Sequence, residues 1–294
     1  MTEKGLLCVA VLLIAVLLTS AALLLDVFSV SVSAHSKEPA EVGGAIPSTA
    51  SPLYRSSVVG TDFDFITEND PSAFERLEYV GFKEFEMPDK RGTGEPLVQN
   101  AYVFNAYFTD GTKVGIALDK DFGNRQAAEQ DAMRYTPRLG KLPSLYRQNL
   151  RHIVVHKGGP DTTGFAEDKG HFFTIYSDNA TKRISTHDLE ETFFHEGSHA
   201  AIQAKYLGGT AWKNAKALDN AYITDYAKTD DQEDFAESAL FAYTLIYHPE
   251  RFPAAERARI EKQIPNRMAF FRSVYTGQPT PPTSPPPSAS SDPP

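Results

Sequence analysis

Cysteine is almost absent from this chain: Cys8 is the one thiol in 294 residues. It lies inside an apolar run, so no disulfide can staple the remainder, and a zinc site built from thiolates is excluded there. Positive charge is also in deficit. Lys and Arg number 29 against 38 Asp and Glu, a formal net charge of −9, and no long Lys/Arg cluster offsets it, so nucleic acid is not an expected partner. Internal repeats are lacking, which sets aside solenoids and propellers. What is present, 41% apolar and 23% charged residues, suffices for one sizeable core or two small ones.

The long uncharged hydrophobic run, residues 5–25, follows Lys4 and precedes Asp26. It is long for a signal-peptide core and matches the roughly 20 residues that cross a bilayer. Val32-Ser33-Ala34 offers a cleavage site, so residues 1–34 read as a cleaved signal peptide or a retained membrane anchor. Either reading puts the remaining chain outside the cytoplasm, secreted or membrane-anchored. Residues 35–58 mix Ser, Pro, Gly and charge without periodicity and read as a flexible linker; residues 277–294 read as a disordered proline-rich tail. A folded domain is expected over 59–276.

The stretch that organises this domain is Thr192-Phe193-Phe194-His195-Glu196-Gly197-Ser198-His199-Ala200. On a helix turning about 100° per residue, His195 and His199 lie about 40° apart on one face, so both imidazoles can reach one metal ion. Glu196 projects about 100° away from His195, placed to take a proton from water rather than to be a ligand. Ser185-Thr186-His187-Asp188 supplies a start signal, and Gly208-Gly209 a stop. Leu189, Phe193, Ala200, Ala204 and Leu207 form an apolar stripe beside the histidine face, as expected for a helix that packs on a core and opens its ligands to a cleft.

Zinc held by two histidines needs a third protein ligand and an open fourth position. Asp231-Gln232-Glu233-Asp234-Phe235-Ala236-Glu237-Ser238 opens a second predicted helix, on which Glu233 and Glu237 share a face four residues apart. Asp231 and Asp234 are expected to decorate its N-terminus, where the helix dipole favours acids, and Glu233 to be the ligand.

These two stretches together resemble the gluzincin metallopeptidases, and most closely the catalytic domain of the anthrax toxin lethal factor type. The resemblance rests on His195-Glu196-x-x-His199, on Tyr226, and on Glu233-Asp234-Phe235-Ala236-Glu237, within roughly residues 150–247. It implies Zn2+ as cofactor, Glu233 as third ligand, Glu237 supporting the site from outside the ligand set, and Tyr226, seven positions before Glu233, facing the metal. Tyr222 is the alternative tyrosine if that spacing is set aside. The chain departs from the commoner His-Glu-Phe-Gly-His in carrying Gly197-Ser198, at positions that point away from the ligands.

Around the motif the elements alternate. Asp70-Pro71-Ser72 signals a short helix over 73–79; Tyr102–Thr109 and Lys113–Leu118 read as strands joined through Asp110-Gly111. Asn124–Tyr135 reads as a helix ended before Pro137, Ser144–Arg151 as another, and His152–His156 and Phe172–Tyr176 as short strands. His248-Pro249 stops the second motif helix, and Pro253 and Pro265 begin two more. The expected fold class is α+β, zincin-like, with a small mixed sheet packed on the helix bearing His195 and on a second helix bearing the glutamate ligand. Phe172–Tyr176 is either a core strand or the sheet edge along which an extended substrate pairs. His152, His156, His171, His187 and His248 are expected to be surface or packing histidines.

The function expected is an exported zinc endopeptidase acting on a polypeptide substrate. Glu196 is the expected general base and Tyr226 the expected hydrogen-bond donor to the developing oxyanion. The alternative is a catalytically inactive zincin-like domain that binds a partner protein. A purely structural zinc is disfavoured, since such sites are closed by four ligands and rich in cysteine.

Overall fold

The computed structural model describes residues 51–92 and 97–277. The signal or anchor segment and the proline-rich tail lie outside the described residues. Among those described, no helix is long and apolar enough to cross a membrane.

The fold is a mixed α+β arrangement around a six-stranded open sheet in the order β1-β2-β3-β4-β6-β5. β1 (Phe74–Glu86), β2 (Val98–Phe108) and β3 (Lys113–Asp119) form an antiparallel meander. β4 (His152–His156) and β6 (Phe172–Tyr176) then join parallel to β3, and β5 (Phe165–Glu167) closes the far edge antiparallel to β6. The parallel step from β3 to β4 requires a crossover, supplied by α1 (Arg125–Leu139) and α2 (Ser144–Asn149). β4 and β6 carry continuous apolar runs because both their faces are covered; Ile153, Val154, Phe173 and Ile175 are all buried.

After the sheet come α3 (Ser177–Ser185) and α4 (Leu189–Gly197), which widens into a π turn over Ser198–Gln203 and ends in a last α turn, Ala204–Tyr206. α5 (Thr210–Asp219), α6 (Asp231–Tyr247), α7 (Ala254–Gln263) and α8 (Pro265–Thr276) complete the chain. α4 is buried along nearly its whole length. Phe193 and Phe194 enter the core, where Phe193 meets Phe173 of β6 and Phe194 meets Tyr243 of α6, so one helix is fixed between the sheet and its partner helix.

Four expectations are corrected. Residues 74–79 are strand, not helix: Asp70 accepts from Thr67 N and Ser72 Oγ from Phe74 N, so the start signal is a turn. Leu77 and Tyr79 then alternate with exposed neighbours against β2, and strand pairing overrides the local cap pattern. α1 runs through Pro137 to Leu139, because a proline in the last turn removes only one helical hydrogen bond. For Phe172–Tyr176 the sheet-edge reading gives way to the core-strand one: the strand is buried, β4 pairs along it and β5 pairs with Phe172–Thr174, so the outer strands of the sheet are β1 and β5. Asp234 is no surface decoration but is fully buried against Arg267, with Oδ2 2.7 Å from Nη2.

Folded structure also begins before residue 59. Tyr54 bridges to Thr224, its hydroxyl donates to Glu256 at 2.8 Å, and Val58 is fully buried.

Candidate metal centre and its cleft

His195 lies in the last turn of α4, and His199 follows where the helix widens. α6 brings Glu233 to them from its first turn. Asp230 caps that turn, accepting from Gln232 N at 2.9 Å and Glu233 N at 3.0 Å, which fixes where the Glu233 side chain departs.

The three side chains meet. His195 Nε2 and His199 Nε2 are 3.2 Å apart, and Glu233 Oε2 is 3.1 Å from the first and 3.4 Å from the second. A tetrahedral ion with bonds of about 2.0–2.1 Å separates its ligand atoms by about 3.3 Å, so this triangle has the right size for one zinc. Glu233 Oε2 is buried without a hydrogen-bond partner, as an oxygen reserved for a cation is expected to be. His195, His199 and Glu233 are the group among the described residues that can hold a metal ion.

Outer contacts orient the imidazoles. His199 Nδ1 lies 2.6 Å from Gln203 Oε1, which only accepts; the ring proton therefore sits on Nδ1 and leaves the Nε2 lone pair directed at the centre. His195 Nδ1 faces Glu237 Oε1 at 3.2 Å, a charge contact not aligned as a hydrogen bond. Glu237 is itself fully buried and held by Val58 N at 2.6 Å and Thr224 Oγ1 at 2.8 Å.

The electrostatics favour positive charge at this point. Burial opposes a charge on His195, but the carboxylates of Glu233 and Glu237, one facing each ring nitrogen, outweigh it and push its pKa up to about 10. Burial likewise opposes the Glu233 carboxylate, yet His195 and His199 hold it far below the ordinary carboxylate range.

The centre opens on a cleft of about 500 Å³ lined by His195, Glu196, Tyr226, Gly164, Thr192 and Arg183, among others. Glu196 is partly exposed to it. Tyr226 sits in the loop before α6, 39% exposed, its ring stacked over His195 at 5.9 Å between centroids. Burial, then the charge of Glu233, keep its hydroxyl protonated well above the ordinary tyrosine range. Tyr222 instead packs beside Arg267, 5.6 Å from ring centre to guanidinium carbon, and does not line the cleft.

Other histidines have packing partners. His152 stacks on Phe172, His156 faces Asp119 Oδ2 at 3.3 Å, and His171 lies 3.0 Å from Ala200 O. Several residues of the site escape sequence reasoning. Gln203 had a usable signal, since it stands one turn beyond His199 on the same face. Lys90, which donates to Thr163 Oγ1 at 2.8 Å and Gly164 O at 3.1 Å at the cleft rim, had none, because only tertiary structure brings it there.

No family model, curated protein or solved structure matches this chain.

Proposed function

We propose that the chain is an exported zinc-dependent endopeptidase in which two helices, α4 and α6, carry the ligands in a zincin-like manner. One observation carries this reading: two imidazole nitrogens and a carboxylate oxygen converge, and one of the imidazoles, His195, lines a cleft together with Glu196 and Tyr226. A structural or purely binding metal requires neither of the last two groups. The resemblance to gluzincin metallopeptidases supports the same assignment, as does the outer support from Glu237. Export is supported by the apolar run at residues 5–25.

His195, His199 and Glu233 would hold the ion, leaving the cleft side open. Zinc supplies there a Lewis acid that polarises a scissile carbonyl and makes water more acidic near neutral pH. Glu196 accepts the proton of the attacking water and returns it to the departing amine. Tyr226, protonated across the neutral range, donates a hydrogen bond to the oxygen on which negative charge develops. β5, one of the sheet's two outer strands, offers an edge where an extended polypeptide can add as a further strand.

The test uses one preparation. Bound zinc is measured in wild type and Glu196→Gln, and both are incubated with an unstructured protein mixture. Zinc in both with cleavage by wild type alone is expected. Zinc in both with no cleavage by either would instead favour a partner-binding module.

A further inference from the structure

The cleft contains a basic group that hydrolysis does not use. Arg183, in the last turn of α3, lines it together with Thr192 and the catalytic face of α4. Thr192 stands three residues before His195 on that helix, so Arg183 and His195 border one cleft. The Thr192 hydroxyl donates back to Asp188 O at 3.1 Å, which leaves Arg183 as the charged donor at this end of the cleft.

Its guanidinium is half committed. Nη1 donates to Asp188 Oδ2 at 2.9 Å, which ties the group to the start of α4. Nη2 has no acceptor among the described residues and is the nitrogen left to donate to a ligand, whereas Nε is buried and closed to one. Two other arginines of the chain fill the Nε and Nη2 edge with an acid of its own. Arg91 places it on Asp89, with Nε 3.0 Å from Oδ1 and Nη2 2.8 Å from Oδ2; Arg267 places it on Asp234, at 3.1 and 2.7 Å. At Arg183 the acid sits on Nη1 instead, and the side chain also borders the cleft.

We infer that Arg183 is a specificity residue that receives a carboxylate of the substrate next to the cleaved bond, making this a peptidase selective for an acidic residue at one flanking position. The inference rests on the peptidase reading. Selectivity is confined to that position, since Glu196 and Asp225 elsewhere in the cleft repel acid. The carboxylate can come from an internal Asp or Glu side chain or from a chain terminus, and the assay separates the two.

Zinc-loaded wild type is given quenched fluorescent peptides that differ by Glu or Gln at each position near the cut, with free or amidated C-termini. At one position Glu is expected to raise kcat/KM about tenfold or more over Gln, as one charge-assisted contact does. Preference for amidated peptides bearing internal Glu identifies a side chain; dependence on the free terminus identifies the terminal carboxylate. Arg183→Met is expected to erase the preference and Arg183→Lys to keep part of it, with zinc content and melting temperature as folding controls. Affinity of Glu196→Gln for the Glu and Gln peptides, read by fluorescence anisotropy, reports recognition without turnover. Equal affinities there, or cleavage of all peptides without acid preference, overturns the role of Arg183 and leaves the peptidase reading intact. Acid-selective binding with no cleavage by wild type does the reverse.

Discussion

Gln203 Oε1 stands 2.6 Å from His199 Nδ1, and this one contact decides which imidazole nitrogen faces the metal centre. Because a carbonyl oxygen cannot donate, the ring proton is held on Nδ1. Gln203→Leu is expected to leave the fold intact and weaken zinc binding about 10–100-fold, as loss of an orienting partner does. Competition with a chromophoric chelator measures this, and unchanged affinity would show that packing alone orients the ring.

Tyr226 separates binding from chemistry. Tyr226→Phe keeps the ring that stacks over His195 and removes only the donor. Zinc content and KM are expected to hold while kcat falls about 10²–10³-fold, the loss seen when one oxyanion donor is removed. A matching rise in KM at constant kcat would point to ground-state binding instead.

Gly164 leaves space beside Glu196, the proposed general base. A Cβ there would lie 3.1 Å from Thr174 O and 3.5 Å from Glu196 Oε1. Gly164→Val adds two methyl groups beyond that Cβ at the mouth of the cleft. Peptide hydrolysis is expected to drop at least about tenfold with zinc retained, the scale on which misplacement near the reacting groups is felt. Wild-type turnover by this variant would place the substrate path elsewhere.

Glu191 makes stability depend on pH. It is 2% exposed, and burial, reinforced by the charges of Asp188, Asp64 and Glu190, raises its pKa from 4.5 to about 8 against the opposing hydrogen bond from Phe65 N. A carboxyl whose folded value is raised favours the fold when protonated. Its contribution is therefore complete below about pH 4.5 and lost as pH climbs through 8. Glu191→Gln retains an acceptor for Phe65 N, 3.0 Å away in wild type. Denaturant melts are expected to show the variant more stable by roughly 3–5 kcal/mol at pH 9 and nearly equal at pH 4. Parallel pH profiles for the two proteins would refute this.

The grouping of His195, His199 and Glu233 was legible in the sequence because it obeys local geometry. His195 and His199 are one turn apart on one helix, and Glu233 follows a capping aspartate that fixes its register. Strands β4 and β6 were legible as short apolar runs. β1 was not, since its turn residues imitate a helix cap and only pairing with β2 decides the matter. The free sheet edge also depends on strand order, which no local pattern encodes. Asp234 was misjudged for a similar reason: its partner Arg267 lies in another helix and buries both charges.

The peptide nitrogen of Val58 grips Glu237 Oε2, and Ser56 O accepts from the Tyr226 amide at 3.0 Å. The chain thus enters its domain by threading past Glu237, which backs the candidate ligand His195, and past the backbone of Tyr226, the proposed oxyanion donor. A recombinant fragment trimmed to start at residue 59 would discard both fastenings. It would be expressed without the brace that holds its own chemistry in place, and its inactivity would say nothing about the intact protein.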